Sequence, residues 1–310
     1  DLRSVGKGNG LGEIKIVPTK SYIDHALYWY AKSFEIGNNT GVYWDNFFIC
    51  PSYNTVMTEA YLRPDGSIAP TAGIWALREL AKRTFVMMNE RGNLPIVFPH
   101  MTSFNPLPMM AFTTVQYDWE WKYSEGDVQD RFTREYLQLA STGELAGVWP
   151  VPLGDHGPQG EDPWVQRTFS AVRLVHELDG AGGWGTSWMQ VHQENKKRLA
   201  DPILALLDVP GLVVYKYWED RPLPVAAASP AVPAIVYCVP GKETVAALVS
   251  YAREDQTVAV RVDTKALGLG ADCQVTDAES GEVLKLVNGE LALPVKKHDI
   301  RVLRLLPVGP

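Results

Sequence analysis

Large aromatic side chains all but vanish two thirds of the way along this chain. All ten tryptophans lie between Trp29 and Trp218, and the last phenylalanine is Phe169. Beyond Leu223 only Tyr237 and Tyr251 remain, in a background of Val, Leu and Ala. One continuous core would not change its packing material so abruptly, so two domains are expected. The change falls at residues 219–233, in a stretch carrying Pro222, Pro224, Pro230 and Pro233. Proline can continue neither a helix nor a central strand, so this stretch reads as a linker running into a strand. The expected domains are residues 1–222 and 234–310, and the 310-residue length is about twice a ~150-residue domain.

The second domain reads as all-β. Runs rich in β-branched residues fall at 234–239, 244–251, 257–263, 274–277, 282–287, 290–295 and 300–306. Turn signals separate them, among them Pro240-Gly241, Ser280-Gly281 and Asn288-Gly289, the last two being tight hairpin turns. About seven short strands spaced in this way point to a β-sandwich. Within it no cluster of His or carboxylate residues is expected.

The first domain alternates differently. Apolar or aromatic runs at 14–17, 41–45, 94–100, 113–120 and 144–151 are separated by segments with helical spacing. Between Thr71 and Arg91, Ile74, Leu77, Ala81, Phe85 and Met88 recur every three or four residues, charged residues take the other face, and Gly92 ends the pattern. Asp162-Pro163 announces another helix, a cap followed by proline at the first helical position. Strands alternating with helices indicate parallel α/β architecture. A full (β/α)8 barrel takes about 250 residues and eight strands. The five strands here are therefore expected to be its later part, with an upstream segment completing it, and a doubly wound open sheet is the structural alternative.

Charge and cysteine content narrow the functional classes. A net charge of −7 with no basic stripe argues against a nucleic-acid partner. The longest apolar stretch, from Leu223 to Val239, is broken by prolines and too short to span a bilayer, so no membrane partner is expected. No secretory leader is visible at Asp1, which fits a leader that is absent or already removed. Cys50, Cys238 and Cys273 lack metal-ligand spacing and read as buried free thiols, with one disulfide as the alternative. The formal GxGxxG at Gly180–Gly185 follows a helix rather than a strand, so it is not a dinucleotide fingerprint. There is no GxSxG elbow.

Chemistry is expected at the C-terminal ends of the strands, where loops build the active site of an α/β barrel. Gly41-Val42-Tyr43-Trp44-Asp45 ends an apolar run in a carboxylate flanked by aromatics. The second such end is Tyr117-Asp118-Trp119-Glu120-Trp121, where Asp118 and Glu120 share one side of an extended segment. Carboxylates set among aromatic rings suit a sugar: the rings stack on its apolar faces, and the acids handle its hydroxyls and glycosidic oxygen. His100 ends a third strand and is placed to orient an acid or a hydroxyl. Trp149, Asp155 and His156 are placed to rim the same pocket. Solvated strand ends and turn-capping carboxylates are the purely structural alternative. A metal held by Asp45, His100, Asp118 and His156 finds no support in motif spacing, so no metal or cofactor is expected.

These pieces resemble a glycoside hydrolase of family 123. The resemblance is carried by residues 41–45, the helix 77–86, Phe98-Pro99-His100-Met101-Thr102, the acid-bearing strand through Glu120, Leu174-Val175-His176-Glu177, and Tyr215-Lys216-Tyr217-Trp218-Glu219 before a small β domain. It implies a (β/α)8 barrel with a C-terminal β-sandwich, hydrolysing a glycosidic bond outside the cell or in the periplasm. Asp45 is carried over as a catalytic carboxylate, with Glu120 second. The adjacent Asp-Glu pair of that family is missing, since Asn46 follows Asp45, so neither acetamido assistance nor an N-acetylhexosamine substrate carries over. The expected function is two-carboxylate glycoside hydrolysis by Asp45 with Glu120 or Asp118, weakly favouring retention. Tyr43, Trp44, His100, Tyr117, Trp119, Trp121, Trp149, Asp155 and His156 would bind the carbohydrate. The competing expectations are a non-catalytic carbohydrate-binding protein on a degenerate barrel and a metal-dependent lyase or hydrolase.

Overall fold

The computed structural model describes residues 17–37, 39–47, 49–100, 106–121, 127–145, 147–155, 162–178, 188–270 and 273–308. By internal contacts the chain divides into two compact units: residues 1–119 with 143–151, and residues 120–142 with 152–310. The Pro-rich segment 219–233 lies within the second.

The first unit contains α1 (Lys20–Gly37), β1 (Gly41–Trp44), a small hairpin of β2 (Tyr61–Leu62) and β3 (Ile68–Ala69), α2 (Ile74–Glu90), β4 (Ile96–Pro99) and α3 (Leu107–Met110). Two paired strands, β5 (Val115–Trp121) and β6 (Trp149–Asp155), begin in it and run on into the second. Helix α2 matches the expected pattern, burying Leu77, Leu80, Ala81, Thr84 and Met88 between the left-handed Gly73 and Gly92. Helix α1 fills the segment of helical spacing expected between 14–17 and 41–45, and Ile23, Ala26, Leu27, Tyr30 and Phe34 pack inward from it.

Strands β1 and β4 are parallel, Gly41 opposite Ile96 and Trp44 opposite Pro99. Gly41 is required there, because a Cβ would fall 2.9 Å from both the Cβ and the carbonyl oxygen of Ile96. The start of the next strand lies alongside, with Thr114 N–H donating to the Val97 carbonyl at 3.0 Å. Trp149 N–H donates to the Thr114 carbonyl at 2.9 Å, bringing in β6. The order β1, β4, β5, β6 is thus sequential, as in an α/β barrel, but no closed barrel forms among the described residues. The strand expected at 144–151 is corrected: Glu144 and Leu145 end a helix, Gly147 turns at φ 86°, and β6 starts only at Trp149. Of the run expected at 14–17, residues 14–16 lie outside the described residues, and Val17 is a coil residue leading into α1. Residues 180–185 also lie outside them.

The second unit has helices α4 (Val128–Arg131), most of α5 (Arg134–Leu145), α6 (Pro163–Val175) and α7 (Trp188–Leu207). As expected, α6 starts at Pro163, and its cap Asp162 accepts the Trp164 N–H at 2.8 Å. The strands are β7 (Val213–Lys216), β8 (Val225–Ala227), β9 (Ala234–Val239), β10 (Glu243–Val249), β11 (Gln256–Val262), β12 (Gln274–Asp277), β13 (Val283–Leu284), β14 (Glu290–Val295) and β15 (Ile300–Leu306). They form two antiparallel sheets, in the orders β13-β12-β15-β10-β9-β7 and β14-β11-β8. The first includes β7, from before the Pro-rich segment, and the second includes β8, from inside it.

One apolar core is shared by the two sheets and takes Val236, Cys238, Ala246, Leu248, Leu303 and Leu305 from the larger one. The alternate residues of the same strands, Ile235, Tyr237, Val245, Ala247 and Val302, face a second core built with α6 and α7. Burial on both faces explains why β9 and β10 read as unbroken apolar runs, whereas β11 and β14, covered on one face, alternate buried with exposed. Asn288 and Gly289, at φ 51° and 78°, make the expected two-residue turn before β14. Cys238 and Cys273 are buried thiols, and Cys50 is half-buried. Among the described residues no helix is long and apolar enough to cross a membrane.

Candidate active site

Parallel pairing of β1 with β4 places the residues after them side by side. The ladder continues past both strands: His100 N–H donates to the Trp44 carbonyl and Phe47 N–H to the His100 carbonyl, each at 2.8 Å. Alternation then sets Tyr43, Asp45, Phe98 and His100 on one face. The ring of Tyr43 meets Phe98 edge-on at 5.5 Å.

Three of the expected residues converge there. His100 Nδ1 lies 2.6 Å from the Tyr43 hydroxyl and 2.9 Å from Asp45 Oδ1, and the hydroxyl lies 3.5 Å from the same carboxylate oxygen, at the edge of hydrogen-bonding range. When Asp45 is ionised, Nδ1 must carry the ring proton for that 2.9 Å contact to be a hydrogen bond. Asn46 completes the set, its backbone N–H donating to Oδ1 and its side-chain amide to Oδ2, both at 3.0 Å. Asn46 sits at φ 55°, a left-handed conformation that asparagine tolerates well. Its supporting role was missed in the sequence, where an Asn directly after a strand-end Asp was the available signal.

Exposure separates the three. The His100 side chain is 7% exposed and that of Asp45 58%. Tyr43 is half exposed. A buried histidine and a left-handed turn thus hold an acid whose reactive end faces solvent, an arrangement suited to proton transfer or nucleophilic attack on a bound ligand.

The structure does not bring Trp44 to this face. Its indole N–H donates to the Tyr30 hydroxyl at 2.9 Å, and its ring stacks on Phe47 at 4.9 Å among the apolar side chains against α1 and α2. Trp149 opens β6 and is exposed. Tyr117, Asp118, Trp119, Glu120 and Trp121 lie on β5 and Asp155 ends β6, but their side chains lie outside the described residues, as does all of His156.

The expectation that the β domain has no cluster of His or carboxylate groups is corrected. His298 Nδ1 meets Asp127 Oδ2 at 2.7 Å, and Asp130 lies close by. Arg167 donates Nε to Asp299 at 2.5 Å and both Nη atoms to Glu279 at 2.6 and 2.8 Å. Asp127, Asp130 and Arg167 come from outside residues 234–306, so the β-strand sequence alone could not show these partners. Asp127 and Asp130 form a reciprocal capping box on α4, and Lys297 Nζ sits 3.5 Å from Asp127, which is the setting of a structural cap.

No protein-family model and no curated protein sequence matches the chain, and membership of family 123 is not shown. Solved structures do match its fold. α-Galactosidase I from Mortierella vinacea superposes with a TM-score of 0.54 at 12% identity, over 96% of this chain and 73% of that one. A GH27 β-L-arabinopyranosidase from Geobacillus stearothermophilus gives 0.51 at 14%, over 94% and 62%. A noncanonic maltogenic α-amylase from Thermotoga neapolitana gives 0.51 at 9%, over 96% and 68%. The chain therefore spans less than two thirds of the arabinopyranosidase. What is shared is a fold: an α/β chain of the kind found in barrel glycosidases, with a sheet-rich C-terminal part.

Proposed function

We propose that this chain carries the catalytic carboxylate of a glycoside hydrolase and that Asp45 is that residue. The observation that carries the proposal is the convergence of Tyr43, Asp45, Asn46 and His100 at the ends of two parallel strands, with the acid exposed and its supporting histidine buried. The fold likeness to several glycosidases supports the reading at the level of architecture.

In this reading Asp45 is the ionised member of a two-carboxylate pair. The donors of Asn46 and His100 hold it in one pose, and its free lone pairs attack the anomeric carbon or activate a water. The second carboxylate is assigned to β5, to Glu120 with Asp118 as its substitute; the longer arm of Glu120 suits a general acid that protonates the leaving oxygen. A covalent glycosyl intermediate and retention of anomeric configuration are the form of the proposal.

The test uses the whole chain with aryl β-L-arabinopyranoside, α-galactoside and α-glucoside, sugars chosen from what the fold neighbours act on. Hydrolysis of one of them, lost in Asp45→Asn with unchanged circular dichroism, is expected. Glu120→Gln should then slow substrates with poor leaving groups far more than activated aryl ones, and the first-formed anomer, seen by NMR, should match the substrate. Cleavage by Asp45→Asn at the parent rate would overturn the assignment.

A further inference from the structure

Apart from the strand-end cluster, the first unit holds a groove of about 560 Å3 between the first turn of α1, the first three turns of α2 and the loop through Thr58. Its volume falls within the ~300–1,000 Å3 of small-ligand clefts. Its most unusual feature is Trp75, in the first turn of α2, which lines the groove and is 68% exposed. A water-facing indole forgoes the burial that usually justifies so large a ring.

The rest of the lining mixes apolar side chains such as Ile23 and Met57 with charged ones that nearly balance, Lys20 and Arg83 against Asp24, Glu59 and Glu79. Part of it is paired internally, since Arg83 Nη1 lies 2.7 Å from Asp24 Oδ1. A basic pocket would select an anion, and a wholly apolar one a lipid or a helix face. Balanced donors and acceptors beside one exposed aromatic plane match a neutral polyol, which offers hydroxyls at its rim and C–H bonds on its flat face.

We propose that this groove binds a neutral pyranose unit of an oligosaccharide, stacked on Trp75 and hydrogen-bonded by Glu79 and the Arg83–Asp24 pair. The proposal rests on reading the chain as carbohydrate-active and extends it to a second binding site, on different residues from the Asp45 cluster.

The test is calorimetric titration of the Asp45→Asn chain with malto-, cello-, xylo- and mannohexaose, and with an oligogalacturonate as the acidic counterpart. At least one neutral hexasaccharide should bind, with Kd raised about tenfold or more by Trp75→Ala, largely restored by Trp75→Phe, and raised a few-fold by Glu79→Gln. Trp29→Ala, which removes another exposed indole outside the groove, should leave Kd unchanged. The proposal is overturned if no neutral hexasaccharide binds, if Trp75→Ala binds as the parent does, if Trp29→Ala weakens binding equally, or if the oligogalacturonate binds as tightly through Trp75. Trp75-dependent binding in a chain without hydrolytic activity would sink the catalytic reading alone. Hydrolysis without Trp75-dependent binding would sink only the groove.

Discussion

Asp45 with His100 and Asp127 with His298 are chemically the same pair, at 2.9 and 2.7 Å, in the two units of the chain. Both histidines are buried. The difference lies in the acids, for the Asp127 side chain is 15% exposed and that of Asp45 58%. Asp127 is consumed by its surroundings: it caps α4, exchanges bonds with Asp130 and lies near Lys297. Asp45 is held just as firmly yet keeps a solvent-facing side. An acid–histidine contact therefore indicates neither chemistry nor structure on its own; what decides is whether anything is left over for a ligand.

Substitution separates the two cases. The largest expected effect is on turnover: Asp45→Asn should cost about 10²–10⁴-fold in kcat with little change in melting temperature, and a melting temperature that collapsed with the activity would erase the contrast. Arg167, which closes on two acids in the second unit, represents the sealed extreme. Arg167→Ala leaves Glu279 and Asp299 without their shared cation and should destabilise the chain by about 3–5 kcal/mol in urea unfolding, while a loss under 1 kcal/mol would show that the acids find other partners.

A third histidine sharpens the point from the other side. The ring nitrogens of His176 meet not a carboxylate but the Val172 carbonyl at 2.8 Å and the Tyr217 hydroxyl at 2.7 Å, and the ring stacks on Trp218. Desolvation lowers its pKa to about 4, with a smaller contribution of the same sign from Arg134. The unfolded chain, with an ordinary value near ~6.5, binds the proton more readily, so this contribution is intact above ~6.5 and is lost as pH falls to about 4. The loss should reach about 3 kcal/mol. Unfolding free energies of the parent and His176→Gln at pH 7 and 4.5 check this, and parallel pH slopes in the two proteins would refute it. The smallest effect is expected for Asp127→Ala, about 1–2 kcal/mol of stability from the lost cap, with no change in kcat. A fall in activity would mean that the sealed pair is not sealed.

Local chemistry made much of the second unit legible in the sequence. The Asn288-Gly289 turn, the Asp162-Pro163 helix start and most of the β-branched runs are specified by neighbouring residues and fall where expected, while the run at 282–287 shrinks to the two residues of β13. Partners distant in sequence were not legible: nothing in the residues around His298 announces Asp127, and β7 and β8 become strands only because β9 and β11 lie beside them. Asp45 and His100 were each recognisable as strand ends, but their meeting depends on the parallel register of β1 with β4. The strand expected at 144–151 starts five residues late for a different reason, since the first part of a short apolar run reads equally well as a helix end.

The left-handed turn at Asn46 has a consequence for anyone wishing to retune this protein. Backbone geometry restricts position 46 to a small alphabet, chiefly asparagine, aspartate and glycine, because a branched or bulky residue at φ 55° would strain the chain directly beside the acid. Within that alphabet the choices differ in one respect. Glycine preserves the turn and its backbone N–H to Oδ1 but removes the amide that holds Oδ2. Position 46 is thus a natural tuning point, where one substitution frees half of the carboxylate while leaving its scaffold in place.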